Sequence, residues 1–308
     1  MIIIRMSGGL GNQMFQYALY LKLKSMGKEV KIDDITAYEG DNARPIMLDV
    51  FGIDYDRATK EEITEMTDSS MDFLSRIRRK LFGRKSKEYR EKDFNFDPQV
   101  LEMDPAYLEG YFQSEKYFQD VREQVRKAFR FRKGSVPKEL SEQTKELQKQ
   151  IENSNSVSIH IRRGDYLENS HGEIYGGICT DAYYKKAIEY MKEKFPDAKF
   201  YIFSNDTEWA KQHFKGENFV IVEGSTENTG YLDMYLMSKC KHHIIANSSF
   251  SWWGAWLNDN PEKIVIAPSK WLNNRECKDI YTDRMIRIDA KGEVRSDDYG
   301  VRTNSTVK

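Results

Sequence analysis

The residues best suited to chemistry sit where apolar runs end. Arg162-Arg163-Gly164-Asp165 closes the run 157–161. A guanidinium carries paired donors that match phosphate oxygens and stays cationic at any working pH, so this strand end suits a departing diphosphate without help from a metal. An Arg–Asp ion pair that only fixes the loop is the alternative, but two adjacent arginines after a buried strand are costly to hold there without an anion. Asn247-Ser248-Ser249-Phe250-Ser251 follows the run 243–246 and opens a helical pattern. A helix start exposes unpaired N–H groups and a partial positive charge, and the hydroxyls add donors. Capping accounts for one Ser or Asn there, not for the whole stretch. Ser204-Asn205-Asp206 ends a further run, with groups that suit a ribose or base edge as well as a turn.

Near the start, Gly8-Gly9-Leu10-Gly11-Asn12-Gln13 separates an apolar run from a helical pattern. Gly9 and Gly11 let the backbone approach a ligand closely, and Asn12 and Gln13 bring amides to a helix start. A dinucleotide fingerprint counted from Gly9 meets Met14 where its last glycine belongs, so only Asp33, at the end of the next run, keeps a nicotinamide-binding oxidoreductase in view. His160 lies inside an apolar run, where a structural histidine is the ordinary occupant. His171, His213, His242 and His243 have no metal-ligand spacing. Asp54-Tyr55-Asp56 is a D-x-D, a pattern able to hold a divalent ion but unremarkable in an Asp-rich chain, so no metal site is expected. Trp252 and Trp256, four apart, read as core. Neither a P-loop nor a G-x-S-x-G is present.

The elements that must position these groups follow from periodicity. With 308 residues, two domains are expected. The first 34 residues read strand, turn, helix, strand, a βαβ unit. Residues 37–132 show no sustained period. Within them, 76–92 holds nine basic and two acidic residues, and Phe73, Leu74, Ile77 and Leu81 share one helical face. Such a segment is either a solvated charge run or a basic amphipathic helix able to lie on an anionic membrane. Residues 140–151 are helix-prone and end in a polar link, which puts the boundary between domains 1–152 and 153–308. Beyond it, strand-like runs at 157–161, 200–203, 219–222, 243–246 and 264–267 alternate with helical patterns at 183–195, 208–214, 231–239 and 250–257, implying an α/β fold with a parallel sheet. In such sheets ligands bind beyond the carboxyl ends of the strands.

Composition narrows the function. Hydrophobic residues at 39%, charged residues at 31% and a net charge of -1 describe a folded protein with no global field for nucleic acid. No apolar run reaches the roughly 20 residues of a membrane span, and Cys179, Cys240 and Cys277 form no C-x-x-C, so a reduced, cytoplasmic setting is expected.

Three blocks, residues 8–17 (GGLGNQMFQY), 160–166 (HIRRGDY) and 247–257 (NSSFSWWGAWL), resemble in order the α-1,2-fucosyltransferases of glycosyltransferase family 11. The resemblance implies a GT-B architecture, two Rossmann-like α/β domains with parallel sheets facing a central cleft, the second holding GDP-fucose. It implies that Arg162 contacts the β-phosphate with His160 shaping the same pocket, that Ser248, Ser249 and Phe250 line the nucleotide site, and that Asn12 reaches the donor from the first domain. Asp206 and Asp233 are looser correspondences. The implied reaction is metal-independent, inverting transfer of L-fucose from GDP-β-L-fucose to O2 of a terminal galactose on an oligosaccharide or glycolipid. The base that takes the galactose proton is open among Asp165, Asp206 and His160. Another linkage, or a binding protein without turnover, would carry much the same donor motifs.

Overall fold

The structure is a computed structural model that describes residues 1–38, 45–131, 142–164, 169–224, 226 and 229–295, those at 169–171 by backbone only. The chain forms two compact units, Met1–Ser135 and Val136–Lys308.

In the first unit, β1 (Ile2–Arg5) leads through α1 (Leu10–Ser25) to β2 (Val30–Asp33). Ile2, Ile3 and Ile4 are all fully buried, as a strand covered on both faces of a parallel sheet requires. α2 (Lys60–Thr67) begins with a capping box between Thr59 and Glu62. It is followed by α3 (Phe73–Phe82), β3 (Glu88–Arg90), α4 (Gln99–Glu102), β4 (Ala106–Glu109) and α5 (Arg122–Ala128). The sheet order is β2-β1-β4-β3, parallel throughout. The expected βαβ opening is present. The basic run 76–92 is not one helix, because α3 stops at Gly83, whose φ of +75° suits glycine, and the chain then enters an edge strand.

The second unit starts with α6 (Glu142–Glu152), which packs against α10 (Tyr231–Lys239) and so belongs to this unit. The polar link after 152, expected as the domain boundary, therefore joins two elements of one unit. β5 (Ser156–Ile161) follows, then α7 (Asn169–Tyr175), α8 (Asp181–Lys194), β6 (Lys199–Ser204), α9 (Thr207–His213) and β7 (Phe219–Ile221). After α10 come β8 (His242–Ile244), α11 (Ser249–Leu257), β9 (Val265–Pro268) and β10 (Met285–Ile288). The parallel sheet runs β7-β6-β5-β8-β9-β10. Numbered within the unit that is 3-2-1-4-5-6, the Rossmann order, and it reverses direction between β5 and β8. The expectation of two Rossmann-like α/β units with parallel sheets is met, with β10 as a strand that periodicity did not reveal. Among the described residues no helix is long and apolar enough to cross a membrane.

Candidate functional site

Strand order reverses between β5 and β8, and in such sheets the ligand site is expected beyond the carboxyl ends of those two strands. Those strands pair from Val157↔His242 to Ile159↔Ile244. Extended past its last pair, that register brings Arg162 level with Asn247. The sheet thus puts the two anion-suited clusters, separate in sequence, at one point.

α11 supplies the first half of the site. Ser248 is its N-cap residue in extended conformation, yet its side chain makes no capping hydrogen bond. The helix closes through the Trp252 amide, which donates to the Ser248 carbonyl at 3.1 Å. The Ser248 hydroxyl leaves the amides ahead of it alone, and the start of a helix carries a partial positive charge. Ser249 and Phe250 flank this end half-buried, while Trp252, Trp253 and Trp256 go fully into the core, as their spacing indicates. The Trp252 indole N–H is spent on the Ile280 carbonyl at 2.7 Å. Asn247 is a correction: its amide donates to the carbonyls of Tyr175 and Trp271, both at 3.2 Å, and its oxygen accepts from the Cys179 thiol. It staples three segments behind the site rather than offering its amide to a ligand.

β5 supplies the second half. His160 is buried, its ring 5.7 Å from that of Phe250, and its backbone carbonyl accepts from the Tyr184 hydroxyl at 3.0 Å. Burial first, and then the positive charge of Arg162, hold its pKa down to about 3. Its Nδ1 has no hydrogen-bond partner. His160 is therefore neutral at working pH, and a cation sits near enough to be felt.

The two arginines divide. Arg163 stacks its guanidinium 4.2 Å over the Trp209 ring, and its Nε lies 3.4 Å from Asp206. Its backbone exchanges hydrogen bonds with the Asn205 side chain at 2.9 and 3.0 Å. Asp206 in turn caps α9, accepting the Trp209 amide at 3.0 Å. Arg163 and Asp206, both expected to bind ligand, are thereby built into the β5–β6 end of the sheet, which leaves Arg162 as the arginine associated with His160. Sequence reasoning missed Trp209, because no spacing links it to Arg163. Asp165 lies outside the described residues.

Gly9, Gly11 and Asn12 belong to the first unit, at the carboxyl end of β1. Gly9 caps α1 in extended conformation, and Asn12 sits in the first turn, its oxygen accepting from Gln113 at 2.8 Å. The residue that must be glycine is Gly8, with φ +76° and no room for a Cβ, which would lie 2.6 Å from the Asn12 side-chain nitrogen. Asp33 is fully buried and accepts from Ile35, Thr36 and the Tyr107 hydroxyl. With its oxygens spent on the protein, it has none for a ribose, which overturns the nicotinamide reading. Of the D-x-D carboxylates, Asp56 pairs with Lys24 at 2.8 Å, and Asp54 is exposed, 3.7 Å from Arg57. Asp233 lies in the first turn of α10. The cysteines are free thiols, and burial pushes that of Cys179 up to about 12.

A Rossmann-ordered sheet with a helix start and an arginine at its reversal point makes an arrangement suited to an anionic ligand. The chain belongs to glycosyl transferase family 11, whose family pattern matches residues 1–288, and it is a glycosyltransferase. It is 33% identical over 302 residues to an alpha-1,2-colitosyltransferase of Escherichia coli, covering 94% of this chain and 99% of that one. It is 35% identical over 302 residues to the O-antigen biosynthesis glycosyltransferase WbnK of Escherichia coli, covering 92% and 99%. Galactoside alpha-(1,2)-fucosyltransferase 1 of Homo sapiens is 27% identical over 160 residues, 49% of this chain and 42% of that protein.

Proposed function

We propose that this glycosyltransferase moves L-fucose from GDP-β-L-fucose to O2 of a terminal galactose, forming an α-1,2 linkage by inversion without a metal ion. The observation that carries the reading is the conjunction of Arg162 with the start of α11. In the reaction the galactose O2 attacks the anomeric carbon, the bond from that carbon to the β-phosphate oxygen breaks, and GDP leaves with the electron pair. Negative charge builds on the diphosphate, where a guanidinium and a helix start stabilise it more in the transition state than in the ground state. The O2 proton must go to a base. With its pKa held down to about 3, His160 is too weak a base near neutral pH, and Asp206 is held by Arg163 and by the first turn of α9, so the role falls to Asp165.

The test is a transfer assay with EDTA present, offering GDP-fucose and galactose-terminated acceptors, with NMR on the product. An α-linked fucose on galactose O2 supports the donor, linkage, stereochemistry and metal independence together; a requirement for added metal, or another linkage, overturns that part. A second reading, that the sugar carried is colitose, is favoured by the full-length similarity to the colitosyltransferase. GDP-colitose in the same assay separates the two: whichever donor gives the higher kcat/KM names the natural sugar.

A further inference from the structure

α3 is attached the wrong way round for a helix in a soluble fold. None of its residues is buried, and its apolar side chains are the exposed ones: Phe73 73%, Leu74 77%, Ile77 40%, Leu81 68% and Phe82 75%. At 100° per residue Phe73, Leu74, Ile77 and Leu81 span one arc, and Arg79 lies on the opposite side. Arg79 faces the protein, donating to the carbonyls of Asp68 and Ser70, while Arg78 beside it pairs with the Asp68 carboxylate. A cavity of about 820 Å³, lined among others by Asp68, Ser75, Arg78 and Lys85, lies on this inner side. The helix is therefore tethered by its charges and presents its apolar stripe to solvent, next to exposed Met71.

We propose that α3 is a docking element for an anionic lipid surface, independent of which sugar or acceptor the enzyme uses. Charge selects that occupant. α3 contains no acidic residue, exposed Arg76 and Lys80 border the stripe, and Arg84, Lys85 and Lys87 continue the positive charge past Gly83. A second copy of the same face would bring like charges together, whereas anionic headgroups neutralise them while the apolar side chains enter the acyl boundary. No apolar run for a permanent anchor is involved, so the attachment is reversible and salt-sensitive.

The full chain is sedimented with vesicles of phosphatidylcholine, alone or with phosphatidylglycerol making up roughly a third of the lipid. Binding is expected to the anionic vesicles alone. The double variant Arg76→Glu with Lys80→Glu should bind on the order of tenfold or more weakly. Leu74→Ser with Leu81→Ser should lose the part of the binding that survives high salt. Both pairs are exposed, so circular dichroism and transfer to a soluble acceptor should match the unaltered chain and exclude misfolding. The proposal fails if the unaltered chain stays in the supernatant at low salt, or if both variants bind as it does. It fails equally if sedimentation velocity shows a dimer, or a complex with an acidic protein, that the leucine variant abolishes while vesicles leave the chain unbound.

Discussion

Two adjacent arginines of one type carry different burdens. Arg163 is packed on Trp209 and near Asp206, so Arg163→Ala should cost about 1 kcal/mol of stability through the lost cation–π contact. That loss should appear as a lower thermal midpoint, while transfer measured well below the midpoint falls less than tenfold. Arg162→Ala removes charge from the departing diphosphate and should lower kcat/KM by about 2 to 4 kcal/mol of transition-state stabilisation, far more than Arg163→Ala does. If the two variants exchanged these signatures, the assignment of Arg162 to the donor site would be wrong. Sequence singled out both arginines because type and position at a strand end were enough. It could not separate them, since what distinguishes Arg163 is a ring 46 positions further on. Asn247 shows the same limit: a polar residue at a strand end can face a ligand or bind loops from behind, and only its partners decide.

At the scale of the element, the site depends on what begins α11. A serine whose hydroxyl leaves the first-turn amides alone is a poor cap and a good seat for an anion, so stability and binding pull in opposite directions. Ser248→Asp would supply the missing cap and place a fixed negative charge where the diphosphate belongs. The expected outcome is GDP binding at least tenfold weaker by calorimetry with an unchanged or higher thermal midpoint. Undiminished GDP affinity would remove the helix start from the site. The turn before α1 offers the complementary case: Gly8→Ala would force a side chain into a left-handed conformation against Asn12 and should destabilise the chain by about 1 to 2 kcal/mol. The central strands were legible because burial on both faces makes them continuous apolar runs. β3, Glu88-Tyr89-Arg90, was not, because an edge strand with charged ends has no alternation to detect. β10 is a short edge strand interrupted by Arg287, and it was hidden for the same reason.

For the whole molecule, the two halves differ in how they were written. The second unit has regular strand and helix spacing and all five histidines, whereas the first has short elements whose order emerges only from pairing in space. That distribution makes acid sensitivity unequal. His160 is held down to about 3 by burial and then by Arg162, and His243 is pushed well below its ordinary value by burial and then by Lys263 and His242. In the unfolded chain both would titrate near pH 6.5, so between there and the depressed folded values the unfolded state binds more protons. The stability these neutral rings provide is fully present above about pH 6.5 and falls as pH drops toward each ring's depressed folded value, by up to about 1.4 kcal/mol per pH unit for each group. Calorimetric scans from pH 7.5 down to 5 should show unfolding of the second unit moving to lower temperature. His160→Gln should remove roughly half of that slope, one of the two depressed groups being gone. A midpoint that rises on acidification, or a slope untouched by His160→Gln, would mean that His160 takes up its proton in the folded protein, and His160 would then return as a candidate base.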